Sequence, residues 1–225
     1  MKSQEAFVKV DHVREAISGT LTAVDAYKLY KASSLADSTI HITGYPVDPL
    51  MIDIPIHKGW NWIGYPSNYT TSVTAAMSGL ARVPQDGDVL KSKSAFATYY
   101  GAYDMWYGSL GMLNPGEGYM YMSNDDAENT LIYPSTTRDQ GAPVVLQETF
   151  WQADGHQFAR NITFVGAIEL DGSIVESDTL EVGVFCQGEQ RGSGRALYLE
   201  KLGAYRIFLT AHGEEGDELN FRLYD

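Results

Sequence analysis

The sequence predicts a mainly β chain: a small aromatic α+β module present as one and a half copies, followed by an antiparallel β-sandwich. Three observations carry this. A segment near the start recurs 89 residues later, period-2 alternation of apolar residues marks several stretches, and only one stretch has helical spacing. With 225 residues, 44% hydrophobic and 12% aromatic, the chain has enough apolar side chain for one large or two ordinary domains, and too much for disorder.

The recurrence sets residues 1–22 against 90–111. It pairs Lys2 with Lys91, Ser3 with Ser92, Ala6 with Ala95, Phe7 with Phe96, Gly19 with Gly108 and Leu21 with Leu110. A three-residue insertion then brings Tyr27 onto Tyr119 and Leu29 onto Tyr121. Residues 1–44 therefore read as the second half of a module whose complete copy occupies 45–138. Either this first copy is truncated, or its strands are completed by residues of the next one.

Within the complete copy, Gly59 to Pro66 (GWNWIGYP) is an aromatic strand bounded by Gly and Pro. Ser72 caps a short helix whose Val73, Ala76, Met77 and Leu80 fall at i, i+3, i+4 and i+7, giving one buried face. Strands follow near Val89 to Lys91, Ala95 to Tyr100 and Met105 to Leu110. A turn comes at Asn114-Pro115-Gly116, where Pro presets φ and Gly supplies positive φ, and Gly118 to Met122 closes the module.

Ser135 to Pro143 (STTRDQGAP) is polar and reads as a linker. Up to residue 138 there are 10 basic and 14 acidic residues, a net of −4; from Asp139 onward 6 and 15, a net of −9. Twelve of the 15 tyrosines precede this boundary, so the two parts are different folds. Residues 139–225 alternate with period 2 at Ile162, Phe164, Gly166, Ile168 and Leu170, at Leu180, Val182 and Val184, at Tyr205, Ile207 and Leu209, and at Leu219, Phe221 and Leu223. Each run predicts a strand with one buried and one wet face. Asp171-Gly172 signals a hairpin and Gly213 to Gly216 another tight connection; together these features predict an antiparallel sandwich of about eight strands.

Taken in order, GWNWIGYP, Gly87 to Ser92 (GDVLKS), Ala95 to Tyr99 (AFATY), Trp106 to Leu110 (WYGSL) and Leu113 to Tyr119 (LNPGEGY) resemble the tandem β modules of secreted or surface-anchored multidomain proteins of Bacteroidetes-type bacteria. Asn161 to Phe164 (NITF), Leu180 to Phe185 (LEVGVF), Glu189 to Gly192 (EQRG) and Phe221 to Asp225 (FRLYD) resemble the sandwich domain that adjoins them. The resemblance implies an extracellular or cell-surface location and a repeat module. It carries no activity onto particular residues. The opening MKSQEAFVKV lacks the apolar core of a signal peptide, so the chain as written carries no export signal, and the first copy lacks its G-W-N-W strand.

Sixteen Lys and Arg against 29 Asp and Glu give a net charge of −13, so nucleic acid and anionic membrane surfaces are poor partners. No apolar run is long enough to span a bilayer. The single Cys186 excludes an intramolecular disulfide and reads as a core thiol. Zincin, Walker, dinucleotide-binding and nucleophile-elbow motifs are absent, and His12, His41, His57, His156 and His212 lack metal-ligand spacing. No cofactor and no catalytic residue is expected. The acidic groups Asp86/Asp88, Asp125/Asp126 and Glu214, Glu215, Asp217 and Glu218 read as solvated turns, with calcium the competing reading. Gly188 to Gly194 reads as a turn between strands, in which Arg191 pairs with Glu189 or another carboxylate, or else binds a ligand carboxylate.

Adhesion through glycan binding is the expected function. Its alternatives are a structural spacer or protein–protein interaction module and, further off, a hydrolase with paired carboxylates. Sugars stack on aromatic rings. Tyr100, Tyr103 and Tyr107, around Gly101 at a hairpin tip, with Asp104 and Trp106 beside them, form the predicted ligand-binding set. In a strand Trp60 and Trp62 share one face while Asn61 takes the other. That arrangement suits a platform or a core, and aromatics of this kind more often anchor packing. Coplanar exposed rings favour sugar; buried rings with a sticky half-module favour protein contact.

Overall fold

The computed structural model describes residues 1–11, 13–37, 39, 41, 43–45, 47–134, 150, 151, 153, 158 and 160–224. The chain is mainly β, with several antiparallel sheets and one short α-helix among the described residues. It divides into two compact units, Met1–Val144 and Val145–Asp225, so the partial copy and the complete copy share the first. The whole polar linker, Ser135 to Pro143, together with His12 and His156, lies outside the described residues.

In the first unit the partial copy contributes a hairpin of β1 (Val8–Asp11) and β2 (Ala16–Gly19). A 3-10 turn, Pro49–Met51, opens the complete copy. It continues through β3 (Ile54–Ile56), β4 (Gly59–Gly64), β5 (Thr71–Ser72), α1 (Val73–Met77), β6 (Val89–Lys91), β7 (Phe96–Tyr100), β8 (Met105–Gly108), β9 (Met112–Leu113), β10 (Gly118–Ser123) and β11 (Asn129–Leu131). The main sheet runs β4-β10-β6-β7-β8, with β3-β11 and β5-β9 as two-stranded companions. Its inner face presents Ile63, Leu90, Ala97, Tyr99, Trp106, Tyr119 and Tyr121 to a layer formed by Ile54, Ile56 and the Val73, Ala76 and Met77 face of α1. The predicted cap holds: Ser72 Oγ accepts from Ala75 N at 3.1 Å, an N–H with no partner inside the helix. Just past α1, a side chain at Gly79 would strike the carbonyl of Ile132, so only glycine lets the chain pass there.

The middle of G-W-N-W explains itself. Asn61 is the inward residue, and its amide is satisfied by backbone: Nδ2 donates to the His57 and Gly59 carbonyls at 2.7 and 2.9 Å, while Oδ1 accepts from His57 N at 2.9 Å. It thereby closes the turn between β3 and β4. Trp60 and Trp62 face outward, Trp60 with 41% of its surface exposed and Trp62 partly covered. This corrects the expectation that they anchor the core; alternation puts them together, but the burial of Ile63 and Asn61 decides which side is inside.

The two copies superpose in hydrogen-bond detail. Pairing of Val8 with Gly19 and Asp11 with Ala16 repeats that of Ala97 with Gly108 and Tyr100 with Met105. The tight Ser3–Ala6 turn repeats Ser92–Ala95, with the serine N donating to the alanine carbonyl at 2.8 Å in both. Positive φ at Glu15 (49°) matches Asp104 (53°). The offset stays at 89 further on: Lys2 pairs with Lys31 as Lys91 does with Met120, and Asp25 N donates to Tyr30 Oη at 2.9 Å as Asn114 N does to Tyr119 Oη at 2.8 Å. Tyr30, not Tyr27, therefore corresponds to Tyr119, and the three-residue insertion is not needed.

The missing first strand of the partial copy is replaced by β4. Gly64 N donates to Tyr27 O at 2.8 Å and Leu29 N to Trp62 O at 3.3 Å, with Lys28 bridged to Ile63. Gln4 adds a side-chain pair, donating to Trp60 O and accepting from Trp62 N, both at 2.7 Å. One edge of β4 thus serves β10 and the other the equivalent segment of the partial copy.

In the second unit, β12 (Arg160–Gly166), β13 (Glu169–Leu170), β14 (Ser173–Ile174), β15 (Glu181–Cys186), β16 (Glu189–Leu199), β17 (Ala204–Gly213) and β18 (Asn220–Tyr224) form an antiparallel sheet ordered β12-β17-β16-β15-β18 and a β13-β14 hairpin. Asp171 and Gly172 make the predicted hairpin turn with φ of 50° and 77°. Val182, Val184, Ile207, Leu209 and Ala211 build the core on one face, with Phe164, Ile168 and Leu219 packed against it. The other face of β15 is not wet as the alternation implies, and all six of its residues are buried. Phe150 and Trp151 lie across it: Phe150 stacks on Tyr224 at 4.4 Å and Trp151 meets Phe185 edge-on at 5.8 Å. A Cβ at Gly183 would come within 2.7 Å of the Trp151 ring. Fully buried Glu181 fastens the segment, its carboxylate accepting from Phe150 N at 2.6 Å and Trp151 N at 2.8 Å, with Arg195 Nε at 3.5 Å.

Candidate functional site

The predicted hairpin set is split by strand parity. Trp106 faces inward and is buried, packed on Tyr99 at 5.4 Å and on Tyr121 at 6.3 Å. Tyr100 and Tyr107 occupy the opposite face of β7 and β8, each half-buried, and burial, with Tyr100 nearby, raises the pKa of the Tyr107 hydroxyl. Tyr103 lies half-buried in the four-residue turn, its N–H bonded to Tyr100 O at 3.0 Å. Asp104 is exposed in the same turn, and its carboxylate accepts from the Tyr99 hydroxyl at 2.6 Å. Burial, together with that hydrogen bond, pushes the Tyr99 pKa up to about 12. The hairpin therefore brings Tyr100 and Tyr107 together on one face, sends Trp106 to the other, and gives Asp104 a structural partner.

On the outer face at the opposite edge of the sheet, Trp62 lies beneath two ammonium groups, Lys31 Nζ at 4.5 Å and Lys2 Nζ at 5.7 Å from the ring centroid. Lys31 Nζ also sits 3.3 Å from Met120 Sδ. The partial copy supplies both lysines, so it holds one tryptophan of the motif and leaves Trp60 more open.

The acidic groups have structural work. Asp88 is buried, with Oδ2 accepting from the Tyr121 hydroxyl at 2.5 Å and Gln85 N at 3.0 Å, and Oδ1 from Asn124 N at 2.8 Å. Burial and this hydrogen bond raise the Tyr121 pKa far above its ordinary value. Asp86 accepts from Gly101 N at 2.7 Å and so ties the hairpin turn to the preceding loop. Asp125 pairs with Arg82 at 2.8 Å, which holds its carboxyl below the usual range. Arg191 is buried between Glu189 at 3.3 Å and Asp217 at 3.1 Å, with its guanidinium 4.1 Å from the Phe158 ring. The expected pairing with Glu189 is present, and the second carboxylate, Asp217, is half-buried. Among the described residues no group of three or more His, Cys, Asp or Glu is placed to hold a metal ion. Cys186 is buried.

The half-module that the protein-contact alternative singles out has an exposed apolar set whose residues the sequence reading did not name. Its hairpin repeats β7 and β8, yet the residues at inner-face positions stand in solvent. Val10 is 53% exposed where Tyr99 is 5%, Ile17 is 75% where Trp106 is 7%, and Val24 is 42% where Leu113 is fully buried. A legible signal existed: at the two positions where the complete copy has large rings, the partial copy has small aliphatics.

No protein-family model matches the chain, and neither the curated proteins nor the solved structures include a match.

Proposed function

We propose that this chain is a non-catalytic extracellular or cell-surface module for adhesion, and that it works through protein–protein contact. One observation carries the reading: the partial copy leaves Val10 and Ile17 uncovered on its hairpin, and Val24 uncovered in the segment after it, while their equivalents Tyr99, Trp106 and Leu113 in the complete copy belong to a core. Apolar surface presented on an ordered hairpin is the usual material of a protein interface. The non-catalytic part is supported by the use of Asp88, Asp104, Glu181 and Arg191 in internal hydrogen bonds and ion pairs. The extracellular part is supported by the module resemblance.

Glycan binding is the second reading, favoured by the outward indole of Trp60. Bead adhesion separates the two. Beads coated with the full chain are presented with protein-coated and polysaccharide-coated surfaces. Adhesion to protein that disappears in a Val10→Glu/Ile17→Glu variant is the expected result. Adhesion only to polysaccharide, lost in Trp60→Ala, favours the second reading, and no adhesion to either surface overturns both.

A further inference from the structure

We propose that the outer face of β4, β10 and β6 is a binding site for an acidic glycan, a sugar chain bearing carboxylate or sulfate groups. The proposal rests on the second reading above, glycan contact at Trp60, and names the charge of the ligand. Trp62 stands opposite Met120, and Met120 opposite Lys91, so these three side chains lie side by side on one face of the sheet. Trp60 is two residues along β4, opposite Met122, with 41% of its surface exposed. Lys31 Nζ reaches the same place from the partial copy, 4.5 Å from the centroid of Trp62 and 3.3 Å from Met120 Sδ. Lys2 Nζ joins it, 5.7 Å from that centroid.

Three lysines thus gather beside an exposed indole in a chain whose net charge is −13. Among the described residues none of the three has a carboxylate within ion-pair distance. The acids of the adjoining segments are engaged elsewhere. Glu5 and Asp25 are taken by Lys28 at 3.6 Å each, and Asp126, past the end of β10, by Lys58. Asp88, before β6, is buried with the inward Tyr121 hydroxyl. Cation–π attraction to Trp62 helps hold the ammonium groups together, but leaves their charge without a counterion. An anion fits there, and the Trp60 ring supplies the apolar half of the match, because the C–H face of a sugar ring stacks on indole while its acidic substituent reaches a lysine. Nucleic acid and anionic bilayers extend beyond this spot and meet the repulsion of the remaining surface; a short stretch of acidic sugar meets the lysines alone. Lysine ammonium groups impose no planar geometry, so carboxylate and sulfate are accepted on the same terms.

The test titrates the full chain with polygalacturonate, its methyl ester, dextran sulfate, dextran and polyglutamate, reading calorimetric heat and tryptophan emission. The expected result is saturable binding of polygalacturonate or dextran sulfate, at least about tenfold tighter than of the uncharged counterpart and weakened by salt. The polymer bound more tightly identifies the anionic group. Lys31→Gln/Lys91→Gln and, separately, Trp60→Ala should each weaken binding at least about tenfold. Arg14→Gln/Lys201→Gln, which removes the same charge elsewhere, should change it less than about twofold. All five substituted residues are exposed, so the variants keep their fold, which circular dichroism checks. Equal binding of polygalacturonate and its methyl ester, or an equal loss in the two double variants, overturns the proposal. Polyglutamate bound as tightly as the acidic sugars overturns it by assigning the lysines to an acidic polypeptide. Binding of none of these polymers also overturns it, while bead adhesion to polysaccharide that is lost in Trp60→Ala leaves the second reading standing without its charge.

Discussion

Replacing Asp88 tests whether the acidic loop before β6 is structural. Three donors converge on its buried carboxylate: the Tyr121 hydroxyl, Gln85 N and Asn124 N. Asp88→Ala leaves all three without an acceptor. A stranded buried donor costs about 1–3 kcal/mol, and the two backbone groups, near the surface, fall at the low end because water reaches them. Tyr121 is fully buried and falls at the high end. The expected loss is about 5 kcal/mol, on the order of several thousandfold in the folding constant. Asp88→Asn keeps one acceptor oxygen; turned toward Tyr121 and Gln85 it forfeits only the Asn124 bond, for about 1–2 kcal/mol. Urea unfolding followed by tryptophan emission reads the first unit, which holds Trp60, Trp62 and Trp106. With a slope of about 2 kcal/mol per molar urea, the alanine variant should unfold about 2.5 M earlier. An alanine variant within about 1 kcal/mol of the parent, or an asparagine variant as damaged as the alanine one, refutes the argument.

Base should unfold the first unit in one step. Tyr99, Tyr119, Tyr121 and Tyr133 all have folded-state pKa values raised above 10.0, chiefly by burial. The stability they contribute is complete below pH 10 and lost as pH climbs toward the folded values, by up to about 1.4 kcal/mol per pH unit for each ring. Phenolate absorbance and circular dichroism should change together; a gradual phenolate titration with unchanged dichroism contradicts this. In the second unit, Glu181→Ala should cost about 3 kcal/mol by stranding two backbone donors and releasing the ring pair from β15. Trp151 emission then moves to longer wavelength, and unchanged emission contradicts the anchoring role.

Local pattern carried much of the fold. The strands expected near Val89 to Lys91, Ala95 to Tyr100, Met105 to Leu110 and Gly118 to Met122 match β6, β7, β8 and β10 to within two residues, and the Ser72 cap with its i, i+3, i+4 spacing places α1. The repeat was legible because six identities recur in register. Its continuation was misplaced because Tyr27 and Tyr30 both lie near the position of Tyr119, and it takes the hydrogen bond from Asp25 and the Lys2–Lys31 pairing to select Tyr30. Parity groups Trp60 with Trp62 and separates Trp106 from Tyr107, but the side that becomes the interior depends on β3 and α1, which arrive from elsewhere in the chain. The same holds for β15, whose second face is covered by Phe150 and Trp151, about 30 residues earlier. The half-module was legible as a candidate surface from its absent G-W-N-W strand, and the aliphatic Val10 and Ile17 at the positions of Tyr99 and Trp106 were a further signal; their degree of exposure was not legible, because it depends on which residues cover them.

The sharing of β4 has a mechanical consequence. Among the described residues, four hydrogen bonds fasten the partial copy to its outer edge, two from Gln4 and two along the backbone, whereas the inner edge is locked into a sheet with a full core beneath it. Tension applied through residues 1–31 meets the weaker seam first and opens the partial copy while the complete one stays folded. Loss of β4 from the complete copy releases both. β4 is therefore a hinge point common to both copies: the partial copy takes its first strand from it, and in return Tyr27 packs on the complete copy's core and Lys2 and Lys31 cover Trp62.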